Sequence, residues 1–184
     1  PSDPVFDWPI EFVPWYDDSD VRQFSVESLG DLGGERAGTA AVDTLTDPDP
    51  WVRSEALIAL DKIDPQAYAT TIESSLDDDH HAVRRNAAVS LFKLRGTDTK
   101  DTLLTQTRDE SERVREWAVH LLAGIPGEQV ETRLREVAND TSEPEVVRST
   151  AARSLDEDPG AFRRQFTGGT AGKADTHATK SRRT

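Results

Sequence analysis

Val83-Arg84-Arg85-Asn86-Ala87-Ala88-Val89-Ser90-Leu91-Phe92-Lys93-Leu94 is the stretch from which the fold can be read. Counted from Val83, offsets 0, 4, 8 and 11 carry Val, Ala, Leu and Leu. At about 3.6 residues per turn these four share one face of a helix. The same frame recurs: Val21-Arg22, Val52-Arg53, Val83-Arg84, Val114-Arg115 and Val147-Arg148 are spaced by 31, 31, 31 and then 33 residues. Offset four holds Ser25, Ala56, Ala87, Ala118 and Ala151, and offset eight holds Leu29, Leu60, Leu91, Leu122 and Leu155. Offset eleven holds Leu32, Ile63, Leu94 and Ile125 before Asp158 breaks the rule. The small residue at offset four lets a neighbouring helix approach closely. A period of roughly 20–50 residues marks stacked repeats, not a single closed core. Stacks of this kind favour a binding surface over a catalytic pocket.

Between these segments lie weaker amphipathic stretches at 37–45, 67–76, 99–107 and 130–137. Each repeat therefore reads as a hairpin of outer helix, short acidic turn and inner helix. The turns Asp47-Pro-Asp-Pro, Asp77-Asp-Asp, Asp109-Glu-Ser and Ser142-Glu-Pro offer side-chain acceptors to exposed helix N–H groups. Gly33-Gly34, Gly96, and Gly124 with Gly127 stand where inner helices should stop. The expected fold is an all-α solenoid of about five helical hairpins. The expected organisation is an aromatic, Pro-rich arm at 1–19, a repeat domain at 20–158 and a basic flexible tail at 159–184. The first hairpin is truncated, because prolines at 1, 4, 9 and 14 forbid a long outer helix. The last repeat carries a two-residue insertion and a polar end, as a terminal repeat facing water should.

Composition narrows the class. The 184 residues are 35% hydrophobic and 31% charged, with a net charge of -13. Five basic residues are Lys (Lys62, Lys93, Lys100, Lys173, Lys180); the other 17 of the 22 are Arg. An Asp-rich, Lys-poor surface resembles those of salt-in halophiles, and an archaeal source is expected on that ground. At molar salt a Debye length of about 3 Å screens the mutual repulsion of such a surface. With no Cys and no Met in the sequence, no disulfide, thiolate metal site or Cys nucleophile is available. An initiator Met before Pro1 is expected to have been removed. No secretory signal or apolar run of membrane-spanning length is evident. A cytoplasmic location is expected, with peripheral attachment to a membrane complex through a partner left open.

The acidic turn, the Val-Arg pair and the Ala-x-x-x-Leu run resemble HEAT-like repeats of the phycobilisome-lyase type, over roughly residues 20–158. The resemblance implies a structural job for Arg22, Arg53, Arg84, Arg115 and Arg148: bonding acidic or carbonyl groups of a neighbouring turn. It also implies an adaptor, accessory subunit or assembly factor among several pathways. Taxis, respiratory complexes and chromophore attachment all have such members. The alternative it brings is a chromophore lyase or isomerase-like subunit. Nucleic-acid binding ranks below both, since it needs a basic groove and only the tail is basic. Some HEAT-like proteins are iron hydroxylases with His-Glu pairs, and no His-Glu dipeptide occurs in this sequence.

Function should then lie in what breaks the repeat. Phe6, Trp8, Phe12, Trp15 and Tyr16 place five of the twelve aromatics in the first sixteen residues. Two readings stand: the arm caps the end of the stack, or its aromatics anchor a partner. On the inner helices, offsets three, six and ten should point away from the core. They place Phe24, Ile58, Val89, Trp117 and His120, with Gly124, Thr150 and Arg153, on that face. Apolar members there suggest a binding stripe, unless the arm or tail lies over them. Arg163 and Arg164 open a segment of six basic residues against Asp175 alone, read as a self-docking or partner-binding extension. His80-His81 after Asp77-Asp-Asp reads as helix-capping chemistry before metal chemistry. No catalytic residue, cofactor or metal is assigned; one or more proteins are the expected partners.

Overall fold

The computed structural model describes residues 18–166; Phe6, Trp8, Phe12, Trp15, Tyr16 and the segment 167–184 lie outside the described residues. Among the described residues every regular element is helical, and no helix is long and apolar enough to cross a membrane. The chain divides into two compact units, Pro1–Ile63 and Asp64–Thr184.

The first unit holds α1 (Asp18–Leu32), α2 (Gly34–Thr44) and α3 (Pro50–Ile63). Helix α3 starts for a local reason. The Asp49 carboxylate accepts the Trp51 N–H at 2.8 Å, and Pro50 occupies the first helical position, where its missing N–H costs nothing. Val52, Ala56, Leu57, Ala59 and Leu60 are then buried on one face. They meet α1 and α2, whose buried residues include Val26, Gly30, Ala37 and Ala41. Gly33, at φ 67°, ends α1 in a conformation open to glycine.

The frame fails in α1. Val21 is 55% exposed and Leu32 79%, while Ser19, Val26 and Gly30 are buried instead. The cause lies at Gly30: a Cβ there would stand 3.1 Å from the Ala59 Cα. The closest approach of α1 to α3 therefore runs along the Gly30 face, which turns Val21 and Leu32 outward.

The second unit holds α4 (Ala69–Ser74), α5 (His81–Arg95), α6 (Lys100–Gln106), α7 (Glu112–Leu122), α8 (Glu128–Asn139), α9 (Glu145–Asp156) and α10 (Pro159–Phe166). Short α4, α6 and the longer α8 precede the inner helices α5, α7 and α9. Val83, Ala87, Leu91, Val114, Ala118, Leu122, Ile125, Val147 and Ala151 are all buried, as the repeat frame requires. Their neighbours in the core include Phe92, Leu103, Val119, Leu121, Val130 and Leu134.

Helix α10 corrects the expected boundary at 159. Asp158 accepts the Ala161 N–H at 2.6 Å and Pro159 takes the first helical position, repeating the Asp49-Pro50 start. Phe162 is buried and Phe166 packs against the core cluster. Residues 159–166 are therefore docked helix, because an i, i+4 aromatic pair outweighs the polar composition around it.

The turns carry a second repeat. Asp47, Asp78, Asp109 and Asp140 are each 31 residues apart and each accepts the N–H two residues on, at 2.8, 2.8, 2.8 and 2.9 Å. The repeat arginines grip these turns. Arg22 donates to the Asp47 carboxylate from Nε at 2.8 Å, and Arg53 donates to the Asp47 carbonyl at 3.0 Å. Arg84 donates to the Asp78 and Asp79 carbonyls at 2.9 and 3.0 Å, and forks onto Asp109 with two bonds of 2.8 Å. Arg115 donates to the Asp109 and Glu110 carbonyls and to Glu143. Glu143 lies in the inserted turn: Asp140 stands seven residues before its Val, where the other turn aspartates stand five before theirs. Arg148 makes no such side-chain bond among the described residues. It adds to the charges that hold Asp140 below its ordinary value, after the bonds from Ser142 and the charge of Arg133.

The Arg84–Asp109 pair leaves each side chain 9% exposed. Arg84→Ala would strand the Asp109 carboxylate, and is expected to lower the unfolding free energy by about 3 kcal/mol or more. Arg135→Ala breaks the exposed pair with Glu131 and should cost no more than about 0.5 kcal/mol. Urea titration followed by circular dichroism measures both; equal losses would strip the turn clamp of any special weight.

Candidate partner-binding site

In the second unit the off-pattern residues gather around one end of the inner helices. Trp117 and His120 stand one turn apart on α7, with ring centroids 5.5 Å apart and near-perpendicular planes. His120 in turn meets Phe162 at 5.0 Å and Phe166 at 6.3 Å, both edge-on. Phe92 of α5 closes the group, 6.1 Å from Phe162 and 5.4 Å from Phe166. These are favourable aromatic separations. Val89 is half-buried against the same cluster.

Two expectations about this face change. Gly124 and Thr150 are buried rather than exposed. At Gly124 the reason is the docking of α10. A Cβ there would come within 2.5 Å of the Phe92 ring, 3.0 Å of Phe162 and 3.2 Å of Arg163. Arg163 donates from Nη1 to the Gly124 carbonyl, so one of the two basic residues assigned to partner binding braces α10 instead. Arg164 is exposed.

The open side of the cluster is a shallow pocket of about 200 Å³ lined by Glu116, Trp117, His120, Thr150 and Arg153. Trp117 stays half-buried there. The Arg85 guanidinium carbon lies 5.9 Å from the centroid of its indole ring, within cation–π range. Arg153 donates to the Thr150 hydroxyl at 3.1 Å. Arg153 falls at offset six from Val147, on the face that the repeat frame points away from the core, whereas Arg85 was invisible to the sequence reading, because a lone charge on an inner helix looks like any solvated residue. The offset-three position of Trp117 was the signal that could have drawn attention to its neighbours.

Electrostatics mark the same spot. His120 is held below its ordinary value of 6.5, first by burial and then by Arg153, with Glu157 and Glu116 pulling the other way. Burial, then Arg113, lowers Arg85. His81 is also lowered, chiefly by burial, while His80 accepts the Ala82 N–H at the start of α5. Among the described residues, no group of three or more His, Asp or Glu is placed to hold a metal ion.

Phe24 and Ile58 belong to the first unit. Phe24 is 59% exposed and Ile58 half-buried. Glu55, on the same helix as Ile58, is raised above its ordinary value, first by burial and then by Glu27.

The HEAT repeats family matches residues 16–93 and again 82–156. No curated protein matches the sequence. Among solved structures, the complex of CpcE and CpcF of phycocyanin lyase from a Nostoc species is similar at 26% identity and a TM-score of 0.55. That likeness covers 76% of this chain and 91% of the other.

Two outcomes are expected. Gly124→Ala forces the Phe92–Phe162 contact apart and should cost about 1–3 kcal/mol, read as a lower unfolding midpoint. Depression of His120 means that the folded state takes up its proton less readily than the unfolded chain. The stability it contributes is complete above about pH 6.5 and declines as the pH falls below that value. His120→Phe should flatten the decline below about pH 6.5. His81 titrates in both proteins, so an unchanged difference between them would clear His120 of the effect.

Proposed function

We propose, on the premise that the chain belongs to the HEAT repeats family, that it is a non-catalytic protein-binding scaffold. Its role is that of an adaptor, accessory or assembly subunit in a larger complex, working in the cytoplasm and reaching any membrane only through a partner. The observation that carries this reading is the half-buried Trp117 beside Arg85, with Arg153 on the rim of an open pocket. Trp and Arg are the side chains most enriched at interface hot spots, and a pocket with a polar rim lets a partner desolvate the indole. The resemblance to a structure in which two proteins, CpcE and CpcF, form a complex supports it further.

A second reading has its own observation. The similar structure is that of a phycocyanin lyase, so a role as a chromophore lyase or isomerase-like subunit stands as the alternative. A scaffold and a lyase subunit differ in what the protein holds. Pigment binding would appear as a new visible absorbance band when a linear tetrapyrrole is mixed with the protein.

Affinity purification from the native host, with mass spectrometry of what co-purifies, tests the scaffold directly. Trp117→Ala is expected to weaken the recovered partner at least about tenfold, in keeping with a residue whose truncation costs more than 1 kcal/mol. Ile58→Asp tests the first unit in the same assay. Recovery of the protein alone and monomeric, or unchanged affinity in both variants, would count against the scaffold.

A further inference from the structure

Helix α1 carries a second apolar face. Val21, Phe24, Ser28 and Leu32 recur at i, i+3, i+7 and i+11, a single stripe along the helix. The stripe lies opposite Ser19, Val26 and Gly30, which are buried. Among the described residues five large hydrophobics are exposed, Val21, Phe24, Leu32, Trp51 and Val146, and three of them stand on this one stripe. Scattered singly they would need no explanation; aligned, they mark a face suited to being covered. The hydroxyls along it are already engaged. Ser28 donates to the Phe24 carbonyl, and Ser25, beside the stripe, donates to the Val21 carbonyl, both at 2.8 Å. In the later repeats the equivalent positions are covered: Val52 and Ala56 on α3, Val83 and Ala87 on α5, and Val114 and Ala118 on α7 are buried. Each of those helices packs on the helix before it, α2, α4 and α6 in turn. Among the described residues no helix precedes α1.

We infer that the chain's own N-terminal segment, residues 1–17, lies along this stripe, in the place that a preceding helix takes in the later repeats. The segment is continuous with the face: it joins α1 at Asp18, three residues before Val21. Phe6, Trp8, Phe12, Trp15 and Tyr16 supply the apolar area to cover it. Val21 to Leu32 is eleven residues of helix, about 17 Å. Extended chain crosses that distance in about five residues, and prolines at 4, 9 and 14 favour such a path over a helix. With a turn of about four residues reversing the chain, the six residues from Pro14 back to Trp8 still reach Leu32. The tether gives the segment a high effective concentration, so it occupies the stripe ahead of a second copy or another protein. Its aromatics then close the fold of the first unit rather than anchor a partner.

The sequence has no Cys, so a single introduced thiol reports on one position. Maleimide labelling of the folded full chain compares Val21→Cys and Leu32→Cys with Val146→Cys as reference, each rate normalised to the same variant in urea. Val21 and Leu32, 55% and 79% exposed, stand further out than Val146 at 38%, so with nothing over the stripe the first two variants label faster. With the segment in place the order reverses, and both label at least about tenfold slower than the reference, as sites reached only by local opening. Replacing Phe6, Trp8, Phe12, Trp15 and Tyr16 by Ser in the same full chain should restore the faster rates, with circular dichroism unchanged. Labelling in the order of exposure would overturn the inference, as would rates that the aromatic replacements leave unchanged. Protection that disappears on dilution would also overturn it, by making the occupant a second copy. None of these outcomes bears on Trp117, so the inference can fail while the scaffold reading stands.

Discussion

The arginine after each repeat valine is the constraint on which the rest turns. Beside Val52, Val83, Val114 and Val147, which are buried, its own side chain leaves the core at the first turn of an inner helix. There the helix dipole disfavours a cation. The turn resolves the conflict by offering carbonyl oxygens from below, as Asp78 and Asp79 do for Arg84, while an acid of the following turn closes the fork from the other side. Hydrogen bonding to Asp109 raises Arg84 above its ordinary value, against the pull of burial. A buried pair of this kind is a weak source of net stability, because desolvation offsets much of the attraction. What it can hold is spacing. The inserted fourth turn supports that view: where the carboxylate of Asp140 is two residues farther from its helix, Arg115 takes Glu143 instead. The clamp is kept and the residue that makes it is exchanged.

Much of this was legible in the sequence, and the exceptions have physical causes. The Val, Ala and Leu frame identified the buried face of α3, α5 and α7. It misjudged α1, because an offset frame weighs side-chain hydrophobicity and ignores how closely a backbone can come. Gly30 scores poorly as a core residue, yet it decides which face α1 buries. The boundary at 159 failed for a related reason. Averaged over 159–184, the composition is polar and basic, and the average conceals Asp158-Pro159 and the Phe162–Phe166 pair. The 31-residue spacing of Asp47, Asp78, Asp109 and Asp140 was present in the sequence but hidden among many other acids.

The candidate site was legible only in part. Trp117 and His120 stood out because apolar and aromatic side chains are conspicuous at positions that should face water. Arg153 fell on the same face by its offset, but Arg85 did not stand out, because it is an ordinary charged residue until the fold brings it to the indole ring. Sequence offsets resolve what lies along one helix; the pairing of Arg85 on α5 with Trp117 on α7 exists only across two.

Helix α10 gives the site its polarity. Its phenylalanines cover the Phe92 and Gly124 side of the cluster and leave the Trp117 side open. Had α10 been a free tail, Phe92, His120 and Trp117 would together form a wide apolar patch, prone to unspecific association. With α10 in place the patch narrows to one half-buried indole between charged neighbours. A large hydrophobic area would bind many partners weakly, whereas a single anchored aromatic with Arg85, Glu116 and Arg153 around it asks for one shape and one charge pattern. If the scaffold proposal holds, the end of the repeat array sets the selectivity of the surface, by covering the Phe92 and Gly124 side of the aromatic cluster.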